Sequence, residues 1–153
     1  HDLLFLNAGN TFAVHRTPLV KDAEQLGFAH TAQAALDIDD DGDLDLIQVR
    51  TGRRLRILRN DITKKGGSIA MKLVGKPGNR QAVGSRVVAK FGAKQSIRHV
   101  GASGFGGTAW HRVHFGLGSA KKADKVIVYW PDGGKPTTLS DVKVGSKLVV
   151  KQP

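Results

Sequence analysis

Short stretches of alternating apolar and polar residues recur along the whole chain and predict β-strands. Apolar residues occupy every second position at Val87, Ala89 and Phe91, and strict alternation over four to eight residues is typical of a half-buried strand. Strands are predicted at 3–6, 11–14, 32–36, 44–49, 55–58, 68–74, 85–91, 95–100, 110–115, 125–130 and 147–151. A single helical turn is predicted at 22–26. The fold class predicted from this pattern is therefore all-β.

Turn residues divide the predicted strands into two units. The stretch Trp130-Pro-Asp-Gly-Gly134 has proline and glycine at their preferred turn positions, and Lys64-Lys-Gly-Gly67 resembles a linker. We predict a first unit at residues 1–61 and a second at 62–153. The second contains six short strands and is expected to form a small antiparallel β-sandwich or barrel.

The segment from Asp37 to Asp45 places six carboxylates within nine residues. Repulsion at this density calls for a neutralising partner, and calcium accepts six to eight oxygen ligands in a flexible shell. Gly42 permits a sharp turn. Asp40 is expected to point away from the ion. The predicted calcium ligands are the carboxylates of Asp37, Asp39, Asp41 and Asp45 and the backbone carbonyl of Asp43. The alternative is a solvated acidic turn.

The residues after this segment distinguish it from an EF-hand loop. Position twelve, counted from Asp37, is Gln48, whereas an EF-hand has an acidic ligand there. The sequence Asp45-Leu-Ile-Gln-Val also predicts a strand instead of a helix. The loop is therefore expected to close at its ninth residue.

The remaining composition narrows the classes of partner. The chain has a formal net charge of +11, and residues 50–100 contain fourteen Lys and Arg against one acid, Asp61. Such a surface favours an anionic polysaccharide, an acidic protein, an anionic lipid or a nucleic acid, unless it is simply a basic surface without a dedicated partner. Nucleic acid is disfavoured as a partner because the sequence contains no nucleic-acid-binding motif and only 6% of its residues are aromatic. The candidate anion-binding residues are Arg53, Arg54, Arg56, Arg80, Arg86 and Arg98.

The sequence contains no cysteine, which excludes disulfides and thiolate metal sites. It contains no apolar run long enough to span a membrane as a helix. His1 leads directly into a predicted strand, so we expect the N-terminus to be cut from a longer chain.

No catalytic motif emerges from the sequence, and we expect the chain not to be an enzyme. The glycine-rich segment 101–107 lacks the order of a phosphate-binding loop, and Ser103 lacks a nucleophile-elbow glycine because position 105 is Phe. His111 and His114 are three apart on a predicted strand and would face opposite sides. A ligand-sized cleft lined by His99, His111 or His114 would instead favour an enzyme or an accessory domain of one.

Three further residues have two interpretations each. Trp110 and Trp130 can pack in a core or stack on a sugar, and core packing is favoured for Trp130 because it ends an apolar strand. Asn79, next to Arg80, belongs either to a surface loop or to a polar structural bracket.

Residues 1–61 resemble the FG-GAP/VCBS repeat. The similarity lies in a strand, D-x-D-x-D-G-x-x-D-L, a strand, a turn and a strand ending in Asn60. The resemblance implies one and a half repeats of a β-propeller blade, with calcium held by Asp37, Asp39, Asp41, the Asp43 carbonyl and Asp45. Because one and a half blades cannot close a propeller, either further blades are missing or the repeat packs on the second unit.

Residues 62–153 resemble the ASPIC/UnbV domain of the cartilage acidic protein-like family. Three blocks carry the similarity: residues 78–88, residues 113–118 and residues 123–133. The resemblance implies an extracellular or periplasmic setting. We therefore expect a calcium-binding recognition or adhesion module for an anionic glycan or an acidic protein. The alternatives are a non-catalytic accessory domain of a larger secreted enzyme and a nonspecific nucleic-acid binder.

Overall fold

The structure is a computed structural model that describes residues 4–7, 11–15, 30–50, 54–61, 66–101 and 112–153. Several predicted features lie outside these residues: the helical turn at 22–26, Arg53, most of the glycine-rich segment with Ser103, and the pair Trp110 and His111. In the described part of the chain every regular element is a β-strand, which confirms the predicted fold class. Within the same residues, no helix has the length and apolar character needed to cross a membrane.

The structure describes twelve strands, which are numbered here in chain order. The bounds are β1 Leu4–Asn7, β2 Phe12–His15, β3 His30–Leu36, β4 Asp45–Arg50, β5 Arg56–Leu58, β6 Gly67–Val74, β7 Arg86–Phe91, β8 Lys94–His99, β9 Val113–Gly118, β10 Lys122–Tyr129, β11 Thr137–Lys143 and β12 Lys147–Lys151.

The first 61 residues form two small antiparallel sheets. Strands β1 and β2 form an antiparallel pair, and β3, β4 and β5 form a three-stranded sheet in that order. A propeller blade has four strands, so this sheet alone does not establish the predicted blade.

The second unit consists of two open sheets that share one core. One sheet has the order β11-β10-β7-β8 and the other has the order β12-β6-β9. The second unit was predicted to be a small antiparallel β-sandwich or barrel, and its described strand pairs are antiparallel except that β12 pairs with β6 in parallel. The prediction also missed β11, Thr137–Lys143, whose polar threonine, serine and aspartate positions hide the alternation.

Alternating residues of both sheets fill this core. On β9, Val113, Phe115 and Leu117 are buried while the residues between them are not. In the sequence, the buried core residues of the two sheets run from Ile69 to Val150. Trp130 belongs to this core and donates its indole N–H to Thr137 Oγ1 at 2.9 Å, so the predicted core packing of Trp130 is confirmed.

The turn after Trp130 is fastened by Asp132. Its carboxylate accepts hydrogen bonds from the Gly134 N–H at 3.0 Å, Gln152 Nε2 at 2.7 Å and Lys76 Nζ at 3.4 Å. The Gly134 N–H bond, followed by Lys76, holds the pKa of Asp132 below its usual value of 3.8. Asp132 therefore links Gln152, which follows β12, to Lys76, which follows β6.

We expect Phe115→Ala to lower the free energy of unfolding by about 3–5 kcal/mol, because it opens a cavity in a close-packed core. Urea denaturation followed by circular dichroism measures this loss. Val149→Ala is the matched control, since Val149 is 63% exposed on the same sheet, and its effect should stay within about 0.5 kcal/mol. Equal losses in the two variants would contradict the assignment of the core.

We expect Asp132→Asn to reduce stability at neutral pH and to have no effect in acid. Because the folded state lowers the pKa of Asp132, its contribution is complete above the unfolded pKa and disappears as the pH falls through the folded one. The measurement is the urea midpoint of both proteins from neutral pH to well below 3.8. A difference that stays constant over this range would show that the carboxylate charge is not its source.

Candidate metal centre

The acidic loop connects β3 to β4, and Asp45 closes it. Leu36 at the end of β3 pairs with Asp45 at the start of β4. Asp45 is 1% exposed and accepts backbone N–H bonds from Ile38 at 2.9 Å and from Asn60 at 2.8 Å. One carboxylate thus fixes both ends of the loop and the segment after β5. In the sequence Asn60 stands out only as the end of a predicted strand in the repeat pattern, and that position is the one local signal of this contact.

Three of the predicted ligands converge. One carboxylate oxygen each from Asp37, Asp39 and Asp45 lie within 4.8 Å of one another. Oxygens on opposite sides of a calcium ion at 2.3–2.6 Å are about 4.6–5.2 Å apart, so this spacing suits a shared cation.

The hydrogen bonds of Asp37 support this fit. Asp37 Oδ2 accepts the Gly42 N–H at 3.1 Å. Asp37 Oδ1 is buried and has no hydrogen-bond partner among the described residues. A buried carboxylate oxygen without a donor is costly unless a cation satisfies it. The donor set therefore fits a hard divalent cation.

Asp41 and Asp43 lie outside this group of three. Asp41 Oδ1 accepts the Asp43 N–H at 2.9 Å, which is a local turn contact. Their predicted roles, a carboxylate ligand and a carbonyl ligand, remain predictions.

Arg59 supplies a positive charge at the rim of the cluster. Its Nε lies 2.8 Å from Asp61 and 4.0 Å from Asp39. The hydrogen bond to Asp61 raises the pKa of Arg59. The guanidinium is mostly exposed, so it offsets only part of the carboxylate repulsion.

Asp40 points away from the cluster, as expected, and its carboxylate is paired with basic side chains. Its carboxylate contacts Arg112 and lies 3.2 Å from Lys147 Nζ. The hydrogen bond from Arg112, followed by that from Lys147, holds the pKa of Asp40 below its usual value of 3.8. Both cations belong to the second unit, so the acidic loop packs on that unit.

The candidate anion-binding arginines that the structure describes, which exclude Arg53, do not share one surface. Arg86 lies against the ring of Tyr129, 4.2 Å from its centroid, on the outer face of the four-stranded sheet. Arg98 lies opposite buried Val87 and 5.6 Å from the core ring of Phe115. The two side chains therefore occupy opposite faces of the sheet. Arg54 and Arg56 belong to the first unit, and Arg80 is exposed in the turn after β6.

The structure resolves the two interpretations of Asn79. Its amide donates to the Val83 carbonyl at 2.8 Å and accepts the Val83 N–H at 2.9 Å. Asn79 is therefore a structural bracket.

A cleft of about 500 Å³ lies between the edge of β3 and the second unit. Arg98, His99, Arg112 and His114 line it, together with residues 33–36. His114 Nε2 lies 3.0 Å from the Gly42 carbonyl oxygen. In the described part of the chain, neither His99 nor His114 is hydrogen-bonded to a carboxylate that would orient its ring.

The sequence comparisons bear on the second unit. A search of curated proteins finds no significant match. The sequence profile described as ASPIC and UnbV matches residues 75–153, just over half of the chain. The match begins after β6, yet β6 is the central strand between β9 and β12, so the folded unit starts at least eight residues earlier, at Gly67. The predicted FG-GAP/VCBS repeat finds no counterpart in this comparison. On this match, together with the two-sheet fold that contains it, the chain belongs to the ASPIC and UnbV family.

Proposed function

We propose that this chain is a non-catalytic accessory module of an extracellular or periplasmic protein, with a calcium-ordered loop and a basic face for an anionic partner. The convergence of Asp37, Asp39 and Asp45 is the observation that carries the proposal. A cation held by these three residues would offset the carboxylate repulsion that otherwise opposes folding.

Calcium fits this loop better than a transition metal. The three convergent ligands are carboxylate oxygens, and no thiol exists in the chain. Hard oxygen donors favour calcium or magnesium over copper, nickel or zinc. A short loop that also offers backbone carbonyls suits the larger and more variable calcium shell. The metal's role is structural, because ion binding orders a segment that joins β3, β4 and Asn60.

The outer face of the four-stranded sheet is the best candidate for an anionic partner. Lys90 and Lys125 are directly opposite each other on β7 and β10, and both are exposed. Arg86 lies on the same face, four residues from Lys90 along β7. Like charges directly opposite are destabilising, so a polyanion on this face would relieve their repulsion. A sulfated glycan or an acidic protein has the required charge.

The cleft beside His99 and His114 is the observation that favours the rival hypothesis of an enzyme. General acid–base chemistry with an imidazole usually needs a group that orients its ring. His114 instead contacts the Gly42 carbonyl, which gives it a structural role in our proposal.

We expect calorimetry on the chelator-stripped protein to show one calcium ion per chain. At a calcium concentration of 100 times Kd, linkage stabilises the folded state by about 2.7 kcal/mol, which raises Tm by roughly 5–10 °C. Asp37→Asn and Asp39→Asn should each weaken binding more than about 10-fold, because each removes a charged ligand.

Asp141→Asn is the matched control for these substitutions. Asp141 is exposed and pairs with Lys122 on the second unit, outside the loop. Calcium affinity should be unchanged in this variant. Absence of calcium binding by the unmodified protein, or equal affinity in all four proteins, would refute the metal site.

We expect Lys90→Ala/Lys125→Ala to elute from a heparin column at lower salt than the unmodified protein. Lys135→Ala/Lys151→Ala removes two exposed lysines elsewhere on the same unit and serves as the charge-matched control. The readout is the salt concentration at elution, measured on heparin and on duplex DNA.

The two columns separate the possible partners. Stronger retention on heparin, reduced only by the Lys90 and Lys125 substitutions, supports a glycan-binding face. Equal loss in both double variants would show that only net charge matters. Equal retention on DNA and heparin would favour a nonspecific polyanion binder.

A further inference from the structure

The acidic loop docks on the outer face of the three-stranded sheet β12-β6-β9. Four side chains of the second unit reach it there: Ser68 from β6, Arg112 just before β9, His114 from β9 and Lys147 from β12. We call these four residues the docking face. Three of them lie on the three strands of one sheet and Arg112 immediately precedes one of these strands, so the four form a single surface.

Strand register builds this surface. Ala70 on β6 pairs with His114 on β9 and with Lys147 on β12. Ile69 and Met71 point into the core, so Ala70 lies on the opposite, outer face.

Ala70 marks the part of this face where the loop makes its contacts. It is 7% exposed on the central strand, whereas Val149, on the edge strand β12, is 63% exposed. His114 and Lys147, the strand partners of Ala70 on either side, both contact the loop.

Two loop residues, Asp40 and Gly42, make these contacts. The Asp40 carboxylate contacts Arg112, and the Asp40 carbonyl oxygen accepts from Lys147 Nζ at 2.6 Å. The Gly42 carbonyl oxygen accepts from Ser68 Oγ at 2.8 Å and lies 3.0 Å from His114 Nε2. Asp40 and Gly42 have φ angles of 63° and 94°, so a left-handed turn presents both residues to the docking face. Glycine is favoured at position 42 both by its φ and because a Cβ there would lie 3.1 Å from Ser68 Oγ.

Gly42 links this docking contact to the carboxylate cluster. Its N–H donates to Asp37 Oδ2 at 3.1 Å, on the cluster side of the loop. Its carbonyl oxygen accepts from the docking face, on the other side. The candidate metal ligands Asp37 and Asp39 thus lie on the same short backbone segment as Asp40 and Gly42, which contact the docking face.

We propose that cation binding inside the loop and docking of the loop on the second unit are coupled through Gly42. This inference rests on the proposed metal site. A cation that fixes Asp37 also fixes the direction of the Gly42 N–H, and the docking face fixes the Gly42 carbonyl. Each event orders the same segment, so whichever occurs second loses less conformational entropy. By linkage, docking must strengthen cation binding by the same factor as the cation strengthens docking.

The test is calcium titration of the full chain after both donors to the Gly42 carbonyl are removed. Ser68→Ala/His114→Phe deletes these donors and leaves every loop carboxylate in place. We expect calcium affinity to fall about 5-fold or more, within the usual range of coupling between sites. Ser96→Ala/His99→Phe makes the same two substitutions on β8, outside the docking face, and should leave the affinity unchanged.

A second substitution separates coupling from simple electrostatics. Arg112→Gln removes a positive charge near the acidic loop. Electrostatics alone would therefore tighten calcium binding, whereas coupling predicts weaker binding through lost docking of Asp40. If Ser68→Ala/His114→Phe fails to fold by circular dichroism, Arg112→Gln and the single Ser68→Ala variant provide the same comparison.

The reciprocal measurement follows the side-chain nitrogen signal of His114 by NMR as calcium is added. We expect the signal to shift in the unmodified protein with the same midpoint as the calorimetric titration. Calcium binding with equal affinity in Ser68→Ala/His114→Phe and in the unmodified protein would overturn the coupling and leave the metal site intact. Absence of calcium binding by the unmodified protein would overturn both.

Discussion

Mutual repulsion of the carboxylates between Asp37 and Asp45 is the constraint on which the arrangement of the two units depends. Six negative charges within nine residues destabilise any compact loop unless each is neutralised or exposed. The structure divides these acids by direction. Asp37, Asp39 and Asp45 bring one carboxylate oxygen each within 4.8 Å of one another, whereas Asp40 meets Arg112 and Lys147. Asp40 thus joins the acidic loop to the second unit through residues other than the candidate metal ligands.

The second unit provides the rigid surface for this contact. Its core is filled by alternate positions of two sheets, and this packing fixes the register of β6, β9 and β12. Register in turn places Ala70 between His114 and Lys147. Because a slip of one residue would turn these side chains to the opposite face, the docking of the loop depends on core packing far from the acidic residues. The match to the ASPIC and UnbV family covers β9 and β12 of this platform, whereas β6 and the acidic loop precede the matched residues 75–153.

The basic residues of the surface differ in what lies next to them. Arg112 and Lys147 are engaged by the acidic loop within the chain. Lys90 and Lys125 face each other on another sheet, and the anionic partner that we propose would bind there. The formal net charge of +11 thus combines basic residues that pair within the chain with others that face solvent, and a count of basic residues cannot distinguish them.

Local sequence was enough for much of the fold. Alternation identified β7 and β10 because every second residue, as at Val87, Ala89, Val126 and Val128, is apolar and buried. Alternation did not identify β11, where the polar residues Thr137, Thr138 and Ser140 pair with β10. The parallel pairing of β12 with β6 was also beyond the local pattern, because two segments more than seventy residues apart meet only when the core closes.

The candidate site shows the same division between sequence and tertiary structure. The spacing of Asp37, Asp39 and Asp45 with Gly42 indicated a cation loop, since ligand geometry within nine residues is local. The contact of Asp45 with Asn60 and the docking of Asp40 on Arg112 join residues 15 and 72 positions apart. Such contacts leave no periodic signal in the chain. Strand pairing and sheet packing decide them, because only those bring the loop, Asn60 and the outer face of β6 to the same place.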